Sequence, residues 1–239
     1  MGAELTISST RIGGIRMRCS LVARLRVVAL AGLAASAATG CSGMVNVLAI
    51  PALFTGSECI EPEVKLVKGR HDSARVLVLS YANADLRWGN DSVDEEITAM
   101  LSAELSKESR FKITPERKVR AWKDLNPRWA RKNAQEIGEE FEVDYVVTLE
   151  VTDFAVQEPK SPFLLQGRAK AKIRVHDVKK DQMVYDDVFT RDFPSTGPIP
   201  AQDVASQDGF KIKFMRTLAR ELSWKLVAHP ASDVAKDPF

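Results

Sequence analysis

From Leu165 to Val178 the chain runs LQGRAKAKIRVHDV, and its alternation has a period of two. Side chains on a strand point to opposite faces in turn. Ala169, Ala171, Ile173 and Val175 therefore share one face, and Arg168, Lys170, Lys172 and Arg174 share the other. Such a strand is buried on one side and wet on the other, which excludes an all-helical fold and a sheet wrapped on both faces at this point. Its neighbours in sequence are strands too. Val143–Phe154 begins nearly all apolar and then alternates, and Met183–Phe193 returns after a turn at Lys179–Gln182, carrying Asp186, Asp187 and Asp192. Pro159 and Pro162 mark a loop between the first two. Short links between consecutive strands predict an antiparallel meander.

The chain before the meander has a different rhythm. Val76–Leu79 is a short unbroken apolar run, as in a strand buried on both faces. Asn83–Asn90 is a polar loop. Ser92 is placed to cap a helix, with Glu95 three residues on as its capping-box partner and acids at Asp94–Glu96 near the positive helix end. Val93, Ile97, Met100, Leu101 and Leu105 recur at helical steps and form its buried stripe. Phe111–Ile113 is a short strand. Pro115 and Pro127 each open a helix, the second running to Ile137 and stopping at Gly138 in a left-handed cap. Trp122 and Trp129 are expected as core or groove anchors, and the cations from Lys118 to Lys132 as a solvated face. After a Pro/Gly loop at Pro194–Pro200, residues 207–228 form the last helix. Phe210, Phe214, Leu218, Leu222 and Leu226 lie on its apolar face. The expected fold class is α/β (α+β): a mixed sheet of about five strands with a three-stranded antiparallel meander and helices packed on it.

A second feature fixes where this body works. Arg18, Arg24 and Arg26 precede an apolar run from Val27 to Ala38 built of small and aliphatic residues. A basic start followed by a short apolar helix is what a secretory signal needs. Removing residues 1–40 takes away five arginines and one acid, leaving 29 basic and 31 acidic residues and a formal charge of −2 in place of +2. The basic balance belongs to the leader, so it gives no reason to expect nucleic-acid binding. Met17 is a candidate true start. The division is then 1–40 signal, 41–74 tether, 75–228 folded domain and 229–239 disordered tail. In the tether, Met44–Phe54 is apolar, while Glu61–Glu63 and Lys68–Arg70 are polar linker. With Cys19 in the leader and Cys41 at its end, Cys59 is expected to lack an intramolecular partner, and the core must hold by hydrophobic burial.

The leader ends Ala38-Thr39-Gly40-Cys41, which resembles the lipobox of bacterial lipoproteins, with Ala38 where Leu is usual. The resemblance implies a diacylglyceryl group on the Cys41 thiol and cleavage just before it. Ser42, not Asp, follows the cysteine, which by the same resemblance leans toward the outer membrane, facing the periplasm. The competing reading is a transmembrane anchor, since no charge occurs from Val27 to Ser57. Gly32, Gly40, Gly43 and Pro51 weigh against it.

A further passage is similar to one in the CsgG-like group of bacterial lipoproteins, which includes the curli secretion component and the outer-membrane lipoprotein activators of penicillin-binding proteins. Ala134-x-x-x-Gly138 closes a helix and Val143-Asp144-Tyr145-Val146-Val147 enters a strand. Val175-His176-Asp177-Val178 resembles that group's later strand end, with Lys179-Lys180 replacing its usual Thr-Gly turn. The resemblance spans residues 75–227 and carries no catalytic signature. It implies a non-enzymatic adapter or assembly factor in the cell envelope. The alternative is a subunit of a curli-type outer-membrane secretion complex, for which no inserted membrane hairpins are evident.

An enzyme is the third reading. His71, His176 and His229 have no metal-ligand spacing, and no nucleophile elbow, P-loop or dinucleotide glycine pattern occurs. Asp144, Glu150 and Asp153 could converge at a strand end. No catalytic, metal or cofactor-binding residue is named, and no cofactor is expected. The expected partners are a membrane, through lipid on Cys41, and an envelope protein; nucleic acid is not expected, and a homo-oligomer is allowed. The candidate docking residues are Arg168, Lys170, Lys172 and Arg174. The alternative for these four is a solvated face paired with acids across the strands. No aromatic platform alternates with them, as single-stranded nucleic acid would require.

Overall fold

The computed structural model describes residues 58–69, 71–83, 86, 92–202 and 204–234. The chain divides into two units, Met1–Cys59 and Ile60–Phe239, and the fold is that of the second. Cys41, the leader and Met44–Phe54 lie outside the described residues, as does most of the Asn83–Asn90 loop. Cys59 is disulfide-bonded, to a partner outside the described residues, which corrects the expectation of a lone thiol.

A six-stranded mixed sheet organises the domain. Its strands are β1 (Ala74–Ala82), β2 (Phe111–Ile113), β3 (Tyr145–Glu158), β4 (Ser161–Asp177), β5 (Gln182–Phe193) and β6 (Ile199–Pro200). The order across the sheet is β2-β1-β3-β4-β5, with β6 also on β4. Strand β1 runs parallel to both β2 and β3, whereas β3, β4 and β5 form the expected antiparallel meander. The main helices among the described residues are α1 (Val93–Leu105), α2 (Glu116–Leu125), α3 (Ala134–Glu140) and α4 (Val204–Trp224), with a short 3-10 segment at Trp129–Arg131.

Connection length decides which face each helix covers. Parallel strands need a crossover, and crossovers carry helices. Helices α1 and α4 lie on the inner face, where Val93, Ile97, Leu101 and Leu105 of α1 and the expected Phe210–Leu226 stripe of α4 are buried with Val76, Val78, Leu149, Ala171 and Ile173. Phe214 is fully buried, stacked on Phe154 at 5.5 Å and Phe193 at 5.6 Å between ring centres. On the outer face the β2-to-β3 crossover lays α2, the 3-10 turn and α3 over Leu77, Leu79 and Val146. The hairpins β3–β4 and β4–β5 have no residues to spare for a helix.

Several local expectations are corrected. The capping box does not form with Glu95. Ser92 Oγ donates to Glu96 Oε1 at 2.5 Å, because Glu95 is drawn to Arg120 at 3.0 Å and Glu96 is held by Lys211 at 2.9 Å. The helix expected to stop at Gly138 starts at Ala134, behind an Asn133 side chain that accepts from Gln135 N, and runs past Gly138 to Glu140. The left-handed residue is Glu142, at φ 54°. Gly138 serves a close approach instead: a Cβ there would lie 2.3 Å from a methyl of Val178. The meander strands extend to Glu158 and Ser161, so the expected loop shrinks to a two-residue turn.

The start and end of the domain are also more ordered than expected. Within the expected tether, between its two polar stretches, Leu66 is only 4 % exposed, and Val64 N donates to Lys225 O at 3.0 Å. Glu63 is held by Lys225 at 2.5 Å and accepts from the Tyr185 hydroxyl, hydrogen bonds that lower its pKa against the opposing effect of burial. Residues 229–234, expected in a disordered tail, include a buried His229 stacked on Trp224 at 4.4 Å and a short helix, Ala231–Val234.

Candidate docking face

Arg168, Lys170, Lys172 and Arg174 fall on the outer face of β4, because their neighbours Ala169, Ala171, Ile173 and Val175 are buried against α4 and the inner layer. The four differ in what holds them. Arg174 Nη2 donates to Glu150 at 3.1 Å and to the Tyr81 hydroxyl at 2.9 Å. Burial and the hydrogen bond to Glu150 push the Tyr81 pKa up to about 12, while Arg174 opposes them. The phenol stays protonated at neutral pH. Lys172 pairs with Asp186 on β5 at 3.1 Å. The paired-face alternative therefore holds for these two.

Arg168 stands opposite Asp192, and Lys170 opposite Asp153 and Thr190. Neither makes an ion pair among the described residues. Arg168 is half-buried, with Nε buried and without a hydrogen-bond partner, and Lys170 is exposed. Val188, half exposed, lies directly across from Lys172. The face thus offers two unengaged cations beside an apolar side chain, bordered by acids.

Where this open face meets the covered half, the step is aromatic. Trp129 packs edge-on against Tyr81 at 6.0 Å, and Lys123 sits 4.6 Å above the Trp129 ring while donating to Ser80 O at 2.8 Å. Trp122 packs against Phe141 at 5.2 Å, and Lys132 lies over Trp122. Both tryptophans are anchors, as expected, and Lys123, Lys132 and Arg120 are used within the domain rather than free for a partner. The Tyr81–Arg174–Glu150 bond set was not evident in the sequence, since it joins three strands. Its only local trace is the Tyr at the end of the apolar run Val76–Leu79.

The three acids considered for catalysis do not converge. Asp144 precedes β3 and ties three strands together. Its carboxylate accepts from Arg75 N at 2.9 Å and pairs with Lys179 at 2.8 Å, and its main chain bonds Arg75 and Val178. Burial raises its pKa, but the Lys179 and Arg75 hydrogen bonds outweigh that and leave it below the usual carboxylate range. Glu150 lies on the outer face of β3, and Asp153 is further along, past a bulge, opposite Lys170. No group of three or more metal-type side chains occurs among the described residues. A cavity of about 210 Å³ is walled by Leu66, Val67, Phe111 and Leu226, and its rim cations are engaged, Lys65 by Glu61 and Arg110 by Glu108.

No protein-family model matches the chain, and no curated protein matches it. Among solved structures it is similar to a lipoprotein from Neisseria meningitidis, at 15 % identity over 61 % of this chain and 98 % of that one, with a TM-score of 0.41. It is similar to the PelC dodecamer from Paraburkholderia phytofirmans, at 10 % identity over 72 % and 98 % with a TM-score of 0.42. A protein from Xanthomonas campestris overlaps at 10 % identity over 68 % and 91 %, with a TM-score of 0.43. Overlaps this partial and identities this low assign the chain to no family.

Proposed function

We propose that this chain is an envelope lipoprotein that acts without chemistry of its own, as an adapter or assembly factor. The observation that carries the adapter role is the half-covered sheet: α2 and α3 close the outer face over β1 and the start of β3, while none of the described elements covers the same face along β4 and β5. A face carrying Lys170, Arg168 and Val188 suits an acidic or mixed protein surface, in which interfacial charge sets specificity and encounter rate. The location rests on the leader, with basic Arg18–Arg26, apolar Val27–Ala38 and Ala38–Cys41 resembling a lipobox. The finer reading, a CsgG-like protein at the outer membrane facing the periplasm, rests on the Ala134–Val147 resemblance. Rings that stay assembled in detergent and conduct ions in a planar bilayer would favour the curli-type secretion complex instead.

The Cys59 disulfide bears directly on this reading. Once residues 1–40 are removed, Cys41 and Cys59 are the cysteines that remain. A thioether lipid on Cys41 and an intrachain Cys41–Cys59 bond exclude each other, because both consume the same sulfur. Metabolic labelling with an alkyne fatty acid, followed by membrane fractionation, separates the cases. The proposal expects label on the wild type, and loss of both label and membrane retention in Cys41→Ala. Label lost with retention unchanged points to a transmembrane anchor. An unlabelled wild type, with residues 1–40 intact or removed, overturns the proposal.

A further inference from the structure

Helix α4 has two long faces. One buries Phe210, Phe214, Leu218 and Leu222 against the sheet. The opposite arc follows the helical step of three and four residues, with Gly209, Ile212, Lys213 and Arg216 exposed and Arg220 half-buried. It holds three cations and no carboxylate. Ile212 is 42 % exposed, although apolar. Arg216 and Arg220 make no ion pair among the described residues, whereas Lys211 on the flank is taken by Glu96, and Glu221 by Arg191. The Arg220 guanidinium lies 5.5 Å above the half-buried Trp224 ring instead of against an acid. A solvated helix face commonly interleaves both signs. Helix α2 does so, since its Arg120 pairs with Glu95 and Glu116.

The position of this arc matters as much as its charge. The folded unit begins at Ile60, in a short strand paired with His229–Pro230. His229 stacks on Trp224, the last residue of α4. The chain that leads from the anchor in residues 1–41 therefore joins the domain at the foot of α4. Residues 42–59 reach at most about 60 Å when fully extended, so the body is held close to the bilayer. Helix α4 covers the inner face of the sheet, and the open stretch of β4 and β5 is on the outer face. A body resting on α4 turns that open stretch away from the membrane, toward other envelope proteins.

We infer that the exposed arc of α4 rests on the anionic phospholipid surface of the bilayer that anchors the chain, with Arg216 and Arg220 at lipid phosphates and Ile212 at the headgroup boundary. Basic side chains are drawn to such a surface, and the attraction fades within a screening length. The inference rests on the envelope reading and holds for either anchor, lipid on Cys41 or membrane span. The full chain is reconstituted into vesicles of phosphatidylcholine and phosphatidylglycerol with a nitroxide on a fraction of the headgroups. A fluorescent amino acid replaces Ile212 or, as a control in the opposite layer, the exposed Glu139. Flotation reads attachment and quenching reads contact. The probe at 212 is expected to be quenched and the probe at 139 not. Quenching at 212 is expected to be lost in pure phosphatidylcholine, at about 1 M salt, where screening shortens the attraction to about 3 Å, and in Arg216→Glu/Arg220→Glu, each with flotation unchanged. Should the double variant fail to fold, Arg216→Glu alone is read, and the lipid and salt arms need no charge variant. A floating chain unquenched at 212, quenched equally at 139, or indifferent to phosphatidylglycerol, to salt or to Arg216→Glu has this arc on solvent or protein instead, which overturns the inference. A chain that does not float overturns the envelope reading and this inference with it.

Discussion

The two halves of the sheet's outer face are made by neighbouring strands, yet they are different surfaces. Over β1 and the start of β3, Leu77, Leu79 and Val146 are essentially inaccessible beneath Val119, Trp129, Ile137 and Phe141. Over β4 and β5 the same face carries Arg168, Lys170, Lys172, Arg174 and Val188 in contact with solvent. The difference follows from connectivity. A parallel crossover must travel across the face, and it brings helices with it; a tight hairpin turns back in its own plane and brings nothing. The side-chain pattern matches, with unbroken apolar runs under the helices and alternation where the face is bare. What the described elements leave uncovered is therefore set by topology, and the cations of β4 are placed where none of the described elements returns to cover them.

Substitutions can break that comparison at both ends. The largest loss is expected beneath the sheet, at Phe214→Ala, where two stacked rings lose their partner: about 3–5 kcal/mol, measured by denaturant unfolding. Gly138→Ala tests the covered half, since the new methyl would meet Val178 at 2.3 Å; overpacking there is expected to cost about 1–3 kcal/mol. Asp144→Asn should cost about 1.5–3 kcal/mol at pH 7 through weakened bonds to Arg75 and Lys179. Its pH dependence has a definite sign. Because the folded-state pKa is lowered, Asp144 contributes fully above its unfolded value and loses that contribution as pH falls through the folded one. Acid unfolding of Asp144→Asn should therefore be shallower below about pH 4. Smallest of all, Lys170→Glu on the open half should shift stability by no more than about 0.5 kcal/mol, and Lys172→Ala, which breaks a half-exposed pair with Asp186, by about 0–1 kcal/mol. A large loss at Lys170 would mean that the open half is part of the core after all.

What the sequence made legible divides along the same line between local and distant. The alternation of Leu165–Val178, the helical stripes of α1 and α4 and the meander are periodic patterns that each segment carries within itself, and they were readable. The role of Gly138 was not, because it depends on Val178, forty residues away, and a glycine near a helix end is equally suited to a left-handed cap. The choice of Glu96 over Glu95 by Ser92 turned on Lys211 and Arg120, which belong to other helices. Glu61–Glu63 looked like linker because Glu63 finds its partners, Lys225 and Tyr185, far along the chain. For the docking residues, the sequence placed all four on one face. Only the structure separated Lys172 and Arg174, engaged by Asp186 and Glu150, from Arg168 and Lys170, which make no ion pair among the described residues.

The claim that the uncovered half of the sheet is a working surface is tested most directly by photocrosslinking in intact cells. A crosslinking amino acid is placed at Lys170, on the open half, and in a parallel strain at Glu139, on the solvent side of α3 over the covered half. The account predicts a discrete, reproducible adduct to one envelope protein from position 170, and none of comparable yield from position 139. Equal capture at both positions, or capture from 139 alone, would contradict it.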